Sequence, residues 1–200
     1  LPLKEGSRIA LVGPFADSRW DLIGSWVHFA EADRTSTFLD GLRARFGADR
    51  VTYARGCDPH KALEGGISEA VAAAAKSDVV LVALGLKAGE SGEAASLASL
   101  ALPDAQRDLL ESLKQTRKPI VILLVTGRPM ELAREAELAD AVLLAWYPGT
   151  MAGEALADVV SGDYNPSGRL PMTFPRTVGQ VPIHYDMKST GRPADGSGKP

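Results

Sequence analysis

Two carboxylates three residues apart on a glycine-flanked stretch, Glu90 and Glu93 in Gly89-Glu90-Ser91-Gly92-Glu93-Ala94, are the side chains of this sequence best suited to proton transfer. A carboxylate on such a loop can reach away from the fold towards another surface, as general acid/base work demands. The bland alternative, two solvated loop acids, is the commoner state of surface glutamates. Other candidates are weaker. His28, His60 and His184 are far apart and lack metal-ligand spacing, so each reads first as a surface or hydrogen-bonded histidine. Ser91, Ser96 and Ser99 have no G-x-S-x-G elbow around them. Trp20, Trp26, Trp146 and Tyr147 could stack on sugar rings, although packing is the usual work of such large side chains. Arg128, between Gly127 and Pro129, could clamp an anion or tie neighbouring carbonyls.

These groups need a scaffold, and the periodicity supplies one. Short aliphatic runs at Arg8 to Gly13, Val51 to Arg55, Val79 to Leu84, Ile120 to Thr126 and Ala141 to Trp146 alternate with helical patterns, which predicts parallel strands joined by crossover helices. The third and fourth runs are continuously apolar, so they are expected at the centre, covered on both faces. Helices are expected at Thr37 to Phe46, Ile67 to Lys76 and Ala152 to Val160. Another starts at Leu102-Pro103-Asp104, where Gln106, Leu109, Leu110 and Leu113 share one face. The expected fold is therefore α/β, a three-layer α/β/α sandwich with a mostly parallel sheet over residues 1–174. The prolines and turn residues that follow predict an extended C-terminal tail over 175–200.

In such sheets ligands sit at the carboxyl ends of the strands. The loop after the third strand is unusually long, roughly 15 residues where two to six are usual, and it carries both Glu90 and Glu93. Neither G-x-G-x-x-G nor G-x-x-x-x-G-K-[ST] occurs, so no cofactor is expected, and no metal site either. With 200 residues, 22 basic against 25 acidic side chains and 45% apolar residues, the composition is that of a globular domain. It has no basic stripe for nucleic acid, and no apolar run approaches the roughly 18 residues of a membrane span. The lone Cys57 excludes an internal disulfide. The start at Leu1-Pro2-Leu3, without Met, suggests a piece of a longer polypeptide.

Several segments in fixed order resemble the second domain of glycoside hydrolase family 3 β-glucosidases. They are Ile9-Ala10-Leu11-Val12-Gly13-Pro14 with Ala16-Asp17 and Gly24-Ser25-Trp26; Lys118-Pro119 to Gly127-Arg128-Pro129; and Ala139 to Gly149. Gly162-Asp163-Tyr164-Asn165-Pro166-Ser167-Gly168-Arg169-Leu170-Pro171-Met172-Thr173-Phe174-Pro175-Arg176, Val178 to Pro182 and Thr190-Gly191-Arg192-Pro193 complete the series. The resemblance covers nearly the whole chain. It implies a retaining exo-glycosidase of terminal β-D-glucosyl residues, periplasmic or secreted, in which a preceding barrel carries the nucleophilic Asp and this domain carries the acid/base Glu. By motif position that Glu is Glu93, in Ser91-Gly92-Glu93-Ala94-Ala95-Ser96, with Glu90 as the fallback. The partners implied are that barrel domain and a β-glucoside or oligosaccharide, and the domain by itself is expected to be inactive. A β-xylosidase or related exo-glycosidase, and a non-catalytic carbohydrate-binding or scaffold module, are the alternatives. The chain departs from the pattern at Leu97, where many bacterial relatives have Arg, and at Gly149-Thr150-Met151-Ala152-Gly153, where a Gly-Thr-Glu-Gly-Gly pattern is usual.

Overall fold

Each aliphatic run becomes a strand in the computed structural model, which describes residues 1–188. The strands are β1 (Ile9–Val12), β2 (Val51–Ala54), β3 (Val79–Gly85), β4 (Ile120–Val125) and β5 (Ala141–Leu144). They form one sheet in the order β2-β1-β3-β4-β5, with every pair parallel. All residues of β3 and β4 are buried. The edges are more open: Val142 of β5 is 40% exposed.

The helices are α1 (Arg19–Ile23), α2 (Phe38–Phe46), α3 (Gly66–Ala75), α4 (Asp104–Lys114), α5 (Ala133–Leu138) and α6 (Ala152–Ser161). Side chains alternate across each strand, so two separate cores form. Ala10, Val12, Val80, Val82, Leu84, Ile120, Ile122 and Leu124 meet α3 and α4 on one face. Ile9, Leu11, Leu81, Ala83, Val121, Leu123 and Val125 meet α2 and α6 on the other. The small residues Ala70, Ala73 and Ala74 let α3 lie close to the sheet. At the crossing of α2 and α6 two glycines touch backbone to backbone: a Cβ on Gly41 would stand 2.0 Å from the Gly153 carbonyl oxygen. Thr37 and Asp40 form a capping box that fixes the start of α2, with both bonds at 3.1 Å.

The three-layer sandwich agrees with the expectation from the sequence. The short helices α1 and α5 go beyond it. After α6 the chain stays irregular to residue 188 except for a single 3-10 turn at Val178–Gln180. It is nonetheless attached: Pro175 is buried, Phe174 meets Trp146 at 5.9 Å between ring centroids, and the Val178 amide donates to Glu131 Oε2 at 3.3 Å. The Thr190-Gly191-Arg192-Pro193 segment lies outside the described residues, as does the rest of the tail.

Candidate active site

The chain leaves β1 towards the α2/α6 face, and it leaves β3 towards the α3/α4 face. Such a reversal between neighbouring parallel strands opens a crevice at their carboxyl ends, where open α/β sheets place ligands. Here it is a cleft of about 540 Å³. Its walls come from the loops after β1, β2 and β3, and they include Asp17, Asp21, Tyr53, Asp58, His60 and Lys87.

Of the long loop after β3 only Lys87 lines this cleft, and neither Glu90 nor Glu93 does; the loop has little regular structure of its own beyond a 3-10 turn at Ala88–Glu90. Side chains from other elements hold it instead. Asp21 of α1 accepts from the Ala88 amide at 2.9 Å. Arg128, at the end of β4, donates through its guanidinium to the Glu90 carbonyl and, at 3.2 Å, to the Ala95 carbonyl. Of the two roles open to Arg128 in the sequence, the carbonyl tie is the one seen. Tyr147, after β5, lies against Gly24 and Gly127, and its hydroxyl donates to the Lys87 carbonyl at 3.2 Å. Burial raises the Tyr147 phenol above its ordinary value. Tyr147 therefore serves as a packed tie rather than an open stacking face.

Beneath the loop sits Gln106 of α4, fully buried. Its Oε1 accepts from the Gly85 amide at 2.7 Å, while its Nε2 donates to the Gly85 carbonyl at 2.9 Å and to the Pro59 carbonyl at 2.7 Å. This amide links the end of β3 to the loop after β2. The sequence places Gln106 on the apolar face of its helix; its polar role needs the two backbone segments that only the fold brings to it.

The two candidate carboxylates have different surroundings. Glu90 is committed: Oε2 accepts from the Lys87 amide at 2.8 Å, Oε1 is paired with His60 Nε2 at 2.9 Å, and its side chain is only 19% exposed. Glu93 is exposed, and it makes no side-chain hydrogen bond or ion pair among the described residues. It sits between Gly92, with φ +120°, and Ala94, with φ +58°. Left-handed backbone is costly for a residue with a Cβ, and here it is spanned by a bond from the Ala95 amide to the Gly92 carbonyl at 3.3 Å. Glu93 thus lies between two residues of positive φ, within the segment whose Glu90 and Ala95 carbonyls are tied by Arg128. The exposed indole of Trp26 borders the same turn, since a Cβ on Gly92 would lie 3.3 Å from its Nε1.

The remaining candidates fall elsewhere. His28 is exposed beside Phe29, and His184 pairs with Asp186 at 2.6 Å on the exposed tail. Burial pushes the Cys57 thiol up to about 12, which removes it as a nucleophile near neutral pH. Leu97 is half-buried against the α3/α4 core. Trp146 packs on Phe174, and Trp20 is exposed on α1. Among the described residues no group of three or more His, Cys, Asp or Glu stands ready to hold a metal ion. The partnership of His60 with Glu90 had no signal in the sequence, because thirty positions and a β-α-β crossover separate them.

The model of the glycosyl hydrolase family 3 C-terminal domain matches residues 1–199. A periplasmic beta-glucosidase of Salmonella typhimurium is 42% identical over 215 aligned residues, covering 96% of this chain and 28% of that protein. A beta-xylosidase of Formosa agariphila is 41% identical over 148 residues, covering 74% of this chain and 20% of that protein. The crystal structure of a beta-glucosidase from Listeria innocua in complex with isofagomine superposes with a TM-score of 0.92 at 42% identity, covering 97% of this chain and 27% of that one. The chain thus spans about a quarter of the length of the proteins it matches.

Proposed function

The chain belongs to glycosyl hydrolase family 3, as its C-terminal domain, and we propose that it supplies Glu93 as the general acid/base of a retaining exo-β-glucosidase whose nucleophile stands on a companion barrel domain. The observation that carries this is the contrast between the two carboxylates: both oxygens of Glu90 are engaged, while Glu93 is exposed and has no side-chain partner among the described residues. Exposed Trp20, Trp26, Phe29 and Met151, all from loops or a short helix at the carboxyl ends of β1 and β5, support a covering surface there.

In the first step a barrel carboxylate bonds to the anomeric carbon as the bond to the leaving oxygen breaks, and Glu93 gives that oxygen its proton. In the second step water bonds to the anomeric carbon, Glu93 takes its proton, and the glycosyl ester breaks to restore the nucleophile. The two carboxyls must come within about 5 to 5.5 Å. An exposed Glu93 on a loop tied by Arg128 is open to such an approach. Enclosure at the domain interface would favour the protonated form that the first step requires.

The complete polypeptide carrying E93Q should lose on the order of 10² to 10⁴ in kcat on glucosides with poor leaving groups. Azide should restore turnover of an activated aryl glucoside in E93A, giving the β-glucosyl azide. The chain of residues 1–200 by itself should show no turnover. Hydrolysis of an aryl β-glucoside by that chain, surviving E93Q, would refute the assignment. The Formosa agariphila relative supports a second reading, exo-β-xylosidase activity, which a panel of aryl glucosides and xylosides separates. A periplasmic location is proposed from the Salmonella relative, and cell fractionation tests it.

A further inference from the structure

We propose that His60 is a positioning residue, which through Glu90 fixes the loop that presents Glu93; this rests on the acid/base assignment above. The contacts around it close a circuit. From Gly85 at the end of β3, both backbone groups bind the Gln106 amide, and that amide also binds the Pro59 carbonyl. His60 follows Pro59, and its Nε2 meets Glu90 Oε1 at 2.9 Å. Glu90 Oε2 then returns to the Lys87 amide, two residues after Gly85. The histidine is thereby held at fixed distance from the end of β3, and it passes that constraint to the loop.

The circuit does what the loop cannot do alone. The segment 86–95 has one 3-10 turn and its own glycines at 89 and 92, so without outside ties it would sample many conformations. Arg128 holds the backbone at Glu90 and Ala95, but these bonds leave the Glu90 side chain free to swing. His60 and the Lys87 amide hold one carboxylate oxygen of Glu90 each, and of the two only His60 comes from outside the loop. The imidazole itself is 43% exposed and belongs to neither core. A side chain in that position adds little to packing, which makes its 2.9 Å approach to Glu90 the feature to be explained. A catalytic carboxyl displaced by even an ångström loses much of its effect, because proton transfer depends on placement of the donor.

The test uses the complete polypeptide on an unactivated disaccharide, where protonation of the leaving oxygen matters most. H60A should lower kcat about tenfold with KM unchanged within about twofold. H60Q, whose side-chain amide can still reach Glu90 as a donor, should return kcat to within about threefold of the parent. The double variant H60A/E90A should lose no more than the worse single variant, since the two side chains act as one unit. Amides of residues 88–95 should exchange faster in H60A while those of β3 and β4 do not change. An unchanged kcat in H60A, a loss confined to KM, failure of H60Q to rescue, or multiplying losses in the double variant would overturn the proposal. If E93A retains full activity the acid/base assignment falls instead, and loop exchange in H60A still reports whether His60 holds the segment.

Discussion

Replacing Gln106 by Leu probes the joint on which both the fold and the site depend. The substitution nearly conserves volume, so it removes hydrogen bonds without opening a large cavity. Three buried partners lose their bonds: the Gly85 amide at 2.7 Å, the Gly85 carbonyl at 2.9 Å and the Pro59 carbonyl at 2.7 Å. Gly85 and Pro59 are buried, so water cannot replace the amide without local opening. An orphaned buried N–H costs about 2 to 3 kcal/mol, and each carbonyl, with a second lone pair to share, about 1 kcal/mol. The added apolar surface regains about 1 kcal/mol. The net loss is about 3 to 4 kcal/mol. With a urea slope of about 2 kcal/mol/M, the unfolding midpoint should fall by roughly 1.5 to 2 M. Urea titration of the purified chain, followed by tryptophan fluorescence, measures it. A loss below about 1 kcal/mol would refute the accounting, because it would mean that the three groups find other partners or that the amide is not where the structure puts it.

Two further outcomes follow from single positions. Gly41→Ala drives a methyl into the Gly153 backbone and should cost at least about 3 kcal/mol or abolish soluble expression, whereas Gly168→Ala, with nothing within 4 Å, should change the melting temperature little. Glu135 is buried on α5, and burial is the first cause that holds its carboxyl above the ordinary value of 4.5. A raised folded value means that the folded state binds more protons than the unfolded chain just above 4.5, so stability falls as pH rises through that window. Glu135→Gln should therefore raise the melting temperature at pH 7 and lose this advantage below pH 4, as thermal melts across pH read directly; no gain at pH 7 would count against the burial argument.

The strands were legible because their cause is local: β3 and β4 are covered on both faces, and only unbroken aliphatic runs meet that condition. α1 and α5, of five and six residues, were not legible because they are too short to show a helical period and take their shape from neighbours. The loop after β3 showed itself by length and glycine content, yet its composition could not separate Glu90 from Glu93. That separation is made by His60 and the Lys87 amide, one of them reached across the sheet. Arg128 illustrates the same limit. Its residue type permits an anion clamp or a carbonyl tie, and the choice is made by which oxygens the fold brings within reach.

The lack of partners at Glu93 is itself informative when set beside the care with which its neighbours are held. Residues from α1, β4, β5 and the loop after β2 all spend polar groups on 87–95, and none is directed at the Glu93 carboxyl. A loop built to deliver an acid must leave that group unpaired, because an internal ion pair or amide donor would hold it ionised and turned inward. If Glu93 is the acid/base as proposed, the domain would contribute position, through Gln106, His60 and Arg128, and an enclosing partner would contribute the environment that keeps the proton on. Grafting a lysine beside Glu93 at Ala94 should then lower activity in the complete polypeptide even where the loop stays ordered, since a nearby cation favours the carboxylate over the acid; undiminished kcat in A94K with an unchanged fold would contradict this division of labour.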